Sequence, residues 1–223
     1  MCEYMVQHAT PHRMISLLAA GETTRSDAVS SSLTDDVLGD RRSERQELIK
    51  PGMGVNAICL RNGSLDCVQV RWGWTPIWSM GTMPPMTCLP LHLVMRSRVF
   101  DRVKRDGRIL VAVEGWYDSL DRGMALHSRN LDYTTLRQPS PIFLAALAQV
   151  SKSFNGCDGM TLVTHEAAQK KRQRLLAFTA EDAMGWLRPD LEWPEASLLA
   201  RHNAVGEDQL EHVLASPRAL PCR

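Results

Sequence analysis

Asn62-Gly63 constrains this chain more than any other pair of residues. It sits between two apolar runs, Val55-Asn56-Ala57-Ile58-Cys59-Leu60 and Leu65 to Trp72. An Asn-Gly dipeptide accepts the left-handed backbone of a two-residue hairpin turn, so two strands fold back on each other here. Residues 73–90 follow, broken by prolines and by Gly73 and Gly81, and read as an irregular loop. Arg98 to Asp106 reads as a short helix ended by Gly107. Ile109 to Tyr117 is an apolar, β-branched strand, residues 119–138 are a polar stretch, and Ile142–Val150 and Met160–Thr164 are further strands. Ala180–Leu187 reads as a helix with Thr179 as its N-cap, and 206–215 as a last helix. Strands and helices mix without regular βαβ alternation. This pattern predicts an α+β fold, a single domain over residues 1–223 with a mixed, largely antiparallel, barrel-like sheet surrounded by helices. Residues 23–50, rich in Ser, Asp and Arg, are expected to form a polar and mobile surface segment.

Composition excludes several function classes. A chain of 223 residues buries enough apolar surface to fold without staples. Its formal net charge of +1 rules out a uniformly basic nucleic-acid coat, so any polyanion contact must come from local clusters. No apolar run is long enough for a membrane span and no signal layout is visible, so a cytoplasmic chain with no membrane partner is expected. The six cysteines, at 2, 59, 67, 88, 157 and 222, form no CxxC pair. Neither a zinc site nor a disulfide framework is expected, and no metal or cofactor. His165-Glu166-Ala167-Ala168-Gln169 opens like a metalloprotease HExxH, but Gln169 stands where the second imidazole is needed.

Three features can carry chemistry. Removal of Met1 would leave Cys2 with a thiol and a free α-amine on adjacent carbons. Such groups titrate near ~8.5 and ~8, and together they condense with an aldehyde through an imine to a thiazolidine ring. An incidental cysteine after the initiator is the plainer alternative. Residues 96–108 hold Arg96, Arg98, Arg102, Lys104, Arg105 and Arg108 against only Asp101 and Asp106, and a second run holds Lys170, Lys171, Arg172 and Arg174. Concentrated cations of this kind suit a phosphate backbone, or equally a solvated helix face. Beside the first run lies Arg71-Trp72-Gly73-Trp74-Thr75-Pro76-Ile77-Trp78, whose indoles suit stacking on unpaired bases or a core plug under a loop.

Taken in order, these motifs resemble the SRAP family, the SOS-response-associated abasic-site-processing proteins. The chain begins Met-Cys, and Arg71-Trp72-Gly73-x-x-Pro76-x-Trp78 matches the family's WGLIPxW. Val94-Met95-Arg96-Ser97-Arg98, followed by Phe100, falls where the family has Asn-Ala-Arg-Ala-Glu and a Phe. Arg108 through Asp118 (RILVAVEGWYD) parallels RCLIPADGFYE. Gln138-Pro139, Thr161 to Thr164 and Trp186-Leu187 continue the match along most of the chain. The resemblance implies covalent capture of abasic sites in single-stranded DNA, with Cys2 as nucleophile; a monomer is expected.

Asp118 stands where the family has a proton-handling Glu. It keeps the carboxylate but is shorter by one methylene. Lys170, opening Lys170-Lys171-Arg172-Gln173-Arg174, stands where the family's catalytic His opens an HDRMP-like motif, with His165 as a displaced substitute. Val94 replaces the Asn that orients the sugar, and Glu3-Tyr4 replace Gly-Arg. The resemblance thus assigns Cys2, Asp118 and Lys170 to catalysis, and Arg71, Trp72, Trp78, Val94, Arg96 and Arg172 to DNA contact. Two rival readings stay open: a catalytically impaired single-strand binding module, and a thiol peptidase acting on its own N-terminus.

Overall fold

The Asn62-Gly63 hairpin forms as expected. Asn62 and Gly63 both take positive φ, 51° and 78°, and the strands on either side pair in full register from Gly54↔Arg71 to Arg61↔Ser64. The computed structural model describes residues 2–7, 10–26, 47–119, 131–150, 158–166, 173–188 and 190–215. In chain order the elements are β1 (Cys2–Gln7), α1 (Pro11–Ser26), β2 (Glu47–Ile49), β3 (Gly54–Arg61), β4 (Ser64–Arg71), β5 (Cys88–Pro90), α2 (Leu91–Arg96) and α3 (Asp101–Asp106). They continue with β6 (Arg108–Val113), β7 (Gly115–Ser119), β8 (Leu131–Leu136), β9 (Ile142–Gln149), β10 (Gly159–Glu166), β11 (Gln173–Leu175) and β12 (Ala177–Phe178). Last come α4 (Ala180–Leu187), α5 (Trp193–His202) and β13 (Leu210–Ala215). Most of the polar segment at 23–50 lies outside the described residues.

The strands build two sheets. One runs β13-β8-β7-β1-β2; the other runs β11-β10-β9-β6-β3-β4, with β12 on β9 and β5 on β10. Every named pairing is antiparallel except that of β5 with β10. The fold is therefore α+β and largely antiparallel as expected, but the sheets stay open and do not close into a barrel.

Two apolar clusters explain the layering. Ile109, Val111, Val113, Ile142, Leu144 and Ala146 of the larger sheet meet Met5, Ile49, Trp116 and Leu136 of the smaller one. On the opposite face, Leu110, Ala112, Phe143, Ala145 and Leu147 meet Met14, Leu18, Trp186 and Ala196 of the helices. The larger sheet is thus the middle of three layers. Both faces of β6 and β9 are covered, which is why ILVAV after Arg108 and IFLAALA are continuous apolar runs with no polar alternation.

The structure corrects or refines several local readings. The strand expected over 109–117 is two strands: β6 stays in the middle sheet, and at Glu114 the chain crosses to the smaller sheet as β7. Gly115 permits the crossing, since a Cβ there would lie 2.5 Å from the Thr134 carbonyl oxygen. Gly107 ends α3 with an ordinary φ of −115°; its missing Cβ makes room for the Ala148 carbonyl oxygen. The polar stretch at 119–138 contains β8. Residues 206–215 are not a helix. A 3₁₀ turn at Glu207–Gln209 leads into β13, which pairs along its whole length with β8, from Leu210↔Leu136 to Ala215↔Leu131. A neighbouring sheet edge overrides the local helix preference of this segment. Thr179 does sit at the N-cap of α4, but its side chain makes no capping bond.

Candidate functional site

The first residue of β1 faces a carboxylate. Cys2 is opposite Asp118 of β7 in the strand register, and an irregularity between Cys2 and Tyr4 turns the end of β1. Side chains two apart on a strand share a face, so Trp116 and Asp118 point the same way, and the Trp116 indole donates to Asp118 Oδ2 at 3.1 Å. Tyr117 points to the other face, where its ring lies 4.7 Å from Tyr133 and edge-on to Tyr4 at 6.4 Å. Cys2, Trp116 and Asp118 line a pocket of about 300 Å³.

Elements distant in sequence complete the wall. β5 contributes Cys88, β8 contributes Asp132 and Thr134, β10 contributes Thr164, and β11 contributes Arg174; Glu207 and His212 arrive with the C-terminal strand. His212 lies opposite Thr134 in the register. Its Nδ1 is 3.1 Å from Thr134 Oγ1 and 3.3 Å from Asp132 Oδ2, and its Nε2 is 2.9 Å from Glu207 Oε1. The other oxygen of Glu207 meets Arg174 Nη1 at 3.0 Å. The result is a continuous polar chain, Asp132–His212–Glu207–Arg174, on one side of the pocket.

The two thiols are held neutral. Cys2 is only 6% exposed, and burial pushes its thiol well above the ordinary range, with Cys88 and Asp118 adding to the effect. Burial likewise pushes the Cys88 thiol up to about 11. A nucleophilic sulfur in this pocket therefore needs a proton acceptor when it reacts.

The residues singled out in the sequence separate into groups. Cys2 and Asp118 come together, as described. Trp72 is fully buried and donates its indole N–H to the Thr87 carbonyl at 3.0 Å, so it supports the core and offers no face to a base. Val94 is also fully buried, in the cluster on the helix side of the middle sheet, and does not line the pocket. Arg71 and Arg96 are exposed at the ends of β4 and α2, and Trp78 is 51% exposed in the 3₁₀ turn after β4. Lys170 and Arg172 lie outside the described residues. Within the first basic run, Arg108 is buried and donates to the Leu191 and Arg188 carbonyls at 3.1 and 2.6 Å, while Lys104 pairs with Asp101 at 2.7 Å. That run is therefore part structural scaffold and only part open cation. His165 does not line the pocket; burial, then Arg174, pushes its imidazole down to about 4.

Sequence reasoning missed Asp132, Glu207 and His212. Reading 119–138 as a polar stretch and 206–215 as a helix hid the two paired strands that bring them to Cys2. Burial within β8 falls on Leu131, Thr134 and Leu136 without regular alternation, so no local pattern marks the strand.

The family model for SRAP, SOS response associated peptidase, matches residues 1–217. The chain belongs to the SRAP family. A curated relative, the abasic site processing protein YedK of Escherichia coli, is 24% identical over 214 residues, 94% of this chain and 89% of its own length. Among solved structures, a phage-related protein of Bordetella bronchiseptica is similar with a TM-score of 0.70 at 19% identity, covering 96% of this chain and 94% of that one. A second Bordetella bronchiseptica protein gives 0.65 at 14%, covering 96% and 100%, and one from Bacteroides thetaiotaomicron gives 0.62 at 11%, covering 97% and 93%. These likenesses establish that the SRAP fold runs along almost the whole chain. Among the described residues, no helix is long and apolar enough to cross a membrane.

Proposed function

We propose that this SRAP protein captures abasic sites in single-stranded DNA through Cys2, as part of the response to DNA damage. The observation that carries the reading is the position of Cys2, opposite Asp118 on the wall of a pocket of about 300 Å³ rich in proton-handling groups. Membership of the SRAP family, and an Escherichia coli relative described as an abasic site processing protein, support the substrate class.

The chemistry balances without a cofactor. Hydrolysis of the Met1–Cys2 bond frees the Cys2 α-amine. The amine nitrogen bonds to the aldehyde carbon of the ring-opened sugar, and the resulting carbinolamine loses its oxygen as water to give an imine. The Cys2 sulfur then bonds to the same carbon and closes a thiazolidine. One N–H and one S–H supply the two protons that leave in the water, and nothing is oxidised or reduced. Asp118 takes and returns protons beside Cys2. Outside the pocket, exposed Arg71 and Arg96 contact phosphates and Trp78 stacks on a base.

The test is incubation with a single strand carrying one abasic site, followed by denaturing electrophoresis. Wild type should give a slow-migrating adduct, and neither Cys2→Ala nor an undamaged strand should. Salt-sensitive binding by wild type without any adduct would overturn covalent capture in favour of a binding module.

A further inference from the structure

His212 is the imidazole that lines the pocket among the described residues, and nothing in the chemistry just described accounts for it. It stands on β13, the C-terminal strand, where backbone pairing with β8 fixes it opposite Thr134. Both ring nitrogens have a carboxylate oxygen in reach, Asp132 at 3.3 Å on one side and Glu207 at 2.9 Å on the other. A proton can therefore arrive on one side of the ring and leave from the other. The ring is 39% exposed, so it also has a path to bulk water.

We infer that His212 is the proton carrier of this pocket, accepting the Cys2 thiol proton as the ring closes and supplying a proton to the departing oxygen. This role rests on the covalent reading above. Two requirements of that chemistry point to it. The buried Cys2 thiol must lose a proton it holds firmly, and the carbinolamine oxygen must gain one to leave as water. A group that both takes and gives protons near neutrality does this best, and imidazole is that group. Each cycle returns the ring to its starting state: the proton taken from sulfur replaces the one given to oxygen.

The surroundings fit the role. Asp132 on β8 and Glu207 on the 3₁₀ turn contact the ring, and Arg174 on β11, Asp118 on β7 and the thiols of Cys2 and Cys88 line the same pocket. Glu207 is 55% exposed and shared between His212 and Arg174. A shift of Glu207 toward Arg174 and away from the ring opens Nε2 to the pocket. A purely structural role, fastening the edge strand β13 to β8, would need only the hydrogen bonds and no titration.

The experiment is the initial rate of adduct formation on an abasic single strand, from about pH 5 to about pH 9, for wild type and His212→Gln. Glutamine can keep hydrogen bonds to Thr134 or Glu207 but cannot titrate. Wild type should show an inflection in the imidazole range. His212→Gln should lose that inflection and slow roughly 10²-fold near neutrality, with partial rescue by added imidazole. An unchanged rate and profile in His212→Gln, with wild type forming adduct, overturns this role and leaves the covalent reading intact. Absence of adduct in wild type overturns both. Should His212→Gln fail to fold, the wild-type profile decides: a flat rate through the imidazole range rules the role out.

Discussion

Gln7 joins the two sheets, and its removal should be felt by the whole fold. It is the last residue of β1 and only 5% exposed. Its amide nitrogen donates to the Ala112 carbonyl at 2.9 Å and the Asn56 carbonyl at 3.1 Å, and its amide oxygen accepts from the Asn56 N–H at 3.1 Å. One side chain of the smaller sheet thus satisfies three backbone groups on two strands of the larger one. Gln7→Met keeps the length of the side chain and removes the amide. The Ala112 carbonyl is then left dry, and the Asn56 groups, nearer the surface, recover water in part. Summing a full desolvation penalty for the first and smaller net losses for the others gives about 2–5 kcal/mol. For a domain of this size that lowers Tm by roughly 5–15 °C. Urea unfolding followed by tryptophan fluorescence measures it, with an unchanged m-value expected. A loss below about 0.5 kcal/mol would show that water replaces these bonds at no cost, and the reasoning would fail.

Other substitutions separate scaffold from contact surface. Arg96→Ala should weaken single-strand binding and reduce the slope of log affinity against log salt by about one, with stability unchanged. Arg108→Lys should do the reverse, costing about 1–3 kcal/mol in urea unfolding through its lost bonds to Leu191 and Arg188 while leaving the salt slope alone. Trp72→Ala should destabilise by about 3–5 kcal/mol, whereas exposed Trp78→Ala should lower DNA affinity with little change in Tm. His165 stays neutral in the fold down to about 4, against an ordinary 6.5. The unfolded chain takes up that proton first, so stability present above about pH 6.5 is lost as pH falls through this window. His165→Gln should flatten the loss in urea titrations; a slope equal to wild type would remove His165 as its source.

What could be read from the sequence follows the range of the interactions involved. The β3–β4 hairpin is encoded in two adjacent residues, Asn62 and Gly63, and reads directly. β6 and β9 read as strands because both faces are buried and the apolar run is unbroken. The switch at Glu114 leaves no local mark, since β-branched residues on one side and aromatic ones on the other suit strand alike; the decision is made by Val6, whose carbonyl accepts the Glu114 N–H at 2.9 Å. β13 is the extreme case. Its charged, leucine-bearing sequence favours helix locally, and only β8, some eighty residues earlier, makes it a strand. The candidate site divides along the same line. Cys2 and Asp118 stand in recognisable motifs, whereas Asp132, Glu207 and His212 reach the pocket through long-range pairing. Trp72 shows the converse: its motif suggests recognition, and its complete burial makes it core.

The intact mass of wild type after reaction with an abasic single strand tests the central claim most directly. Covalent capture by the Cys2 aminothiol predicts one species equal to the chain without Met1, plus the strand, minus one water. Fragmentation should place the added mass on Cys2. An unmodified mass, a chain still carrying Met1, or an adduct on any other residue would contradict it.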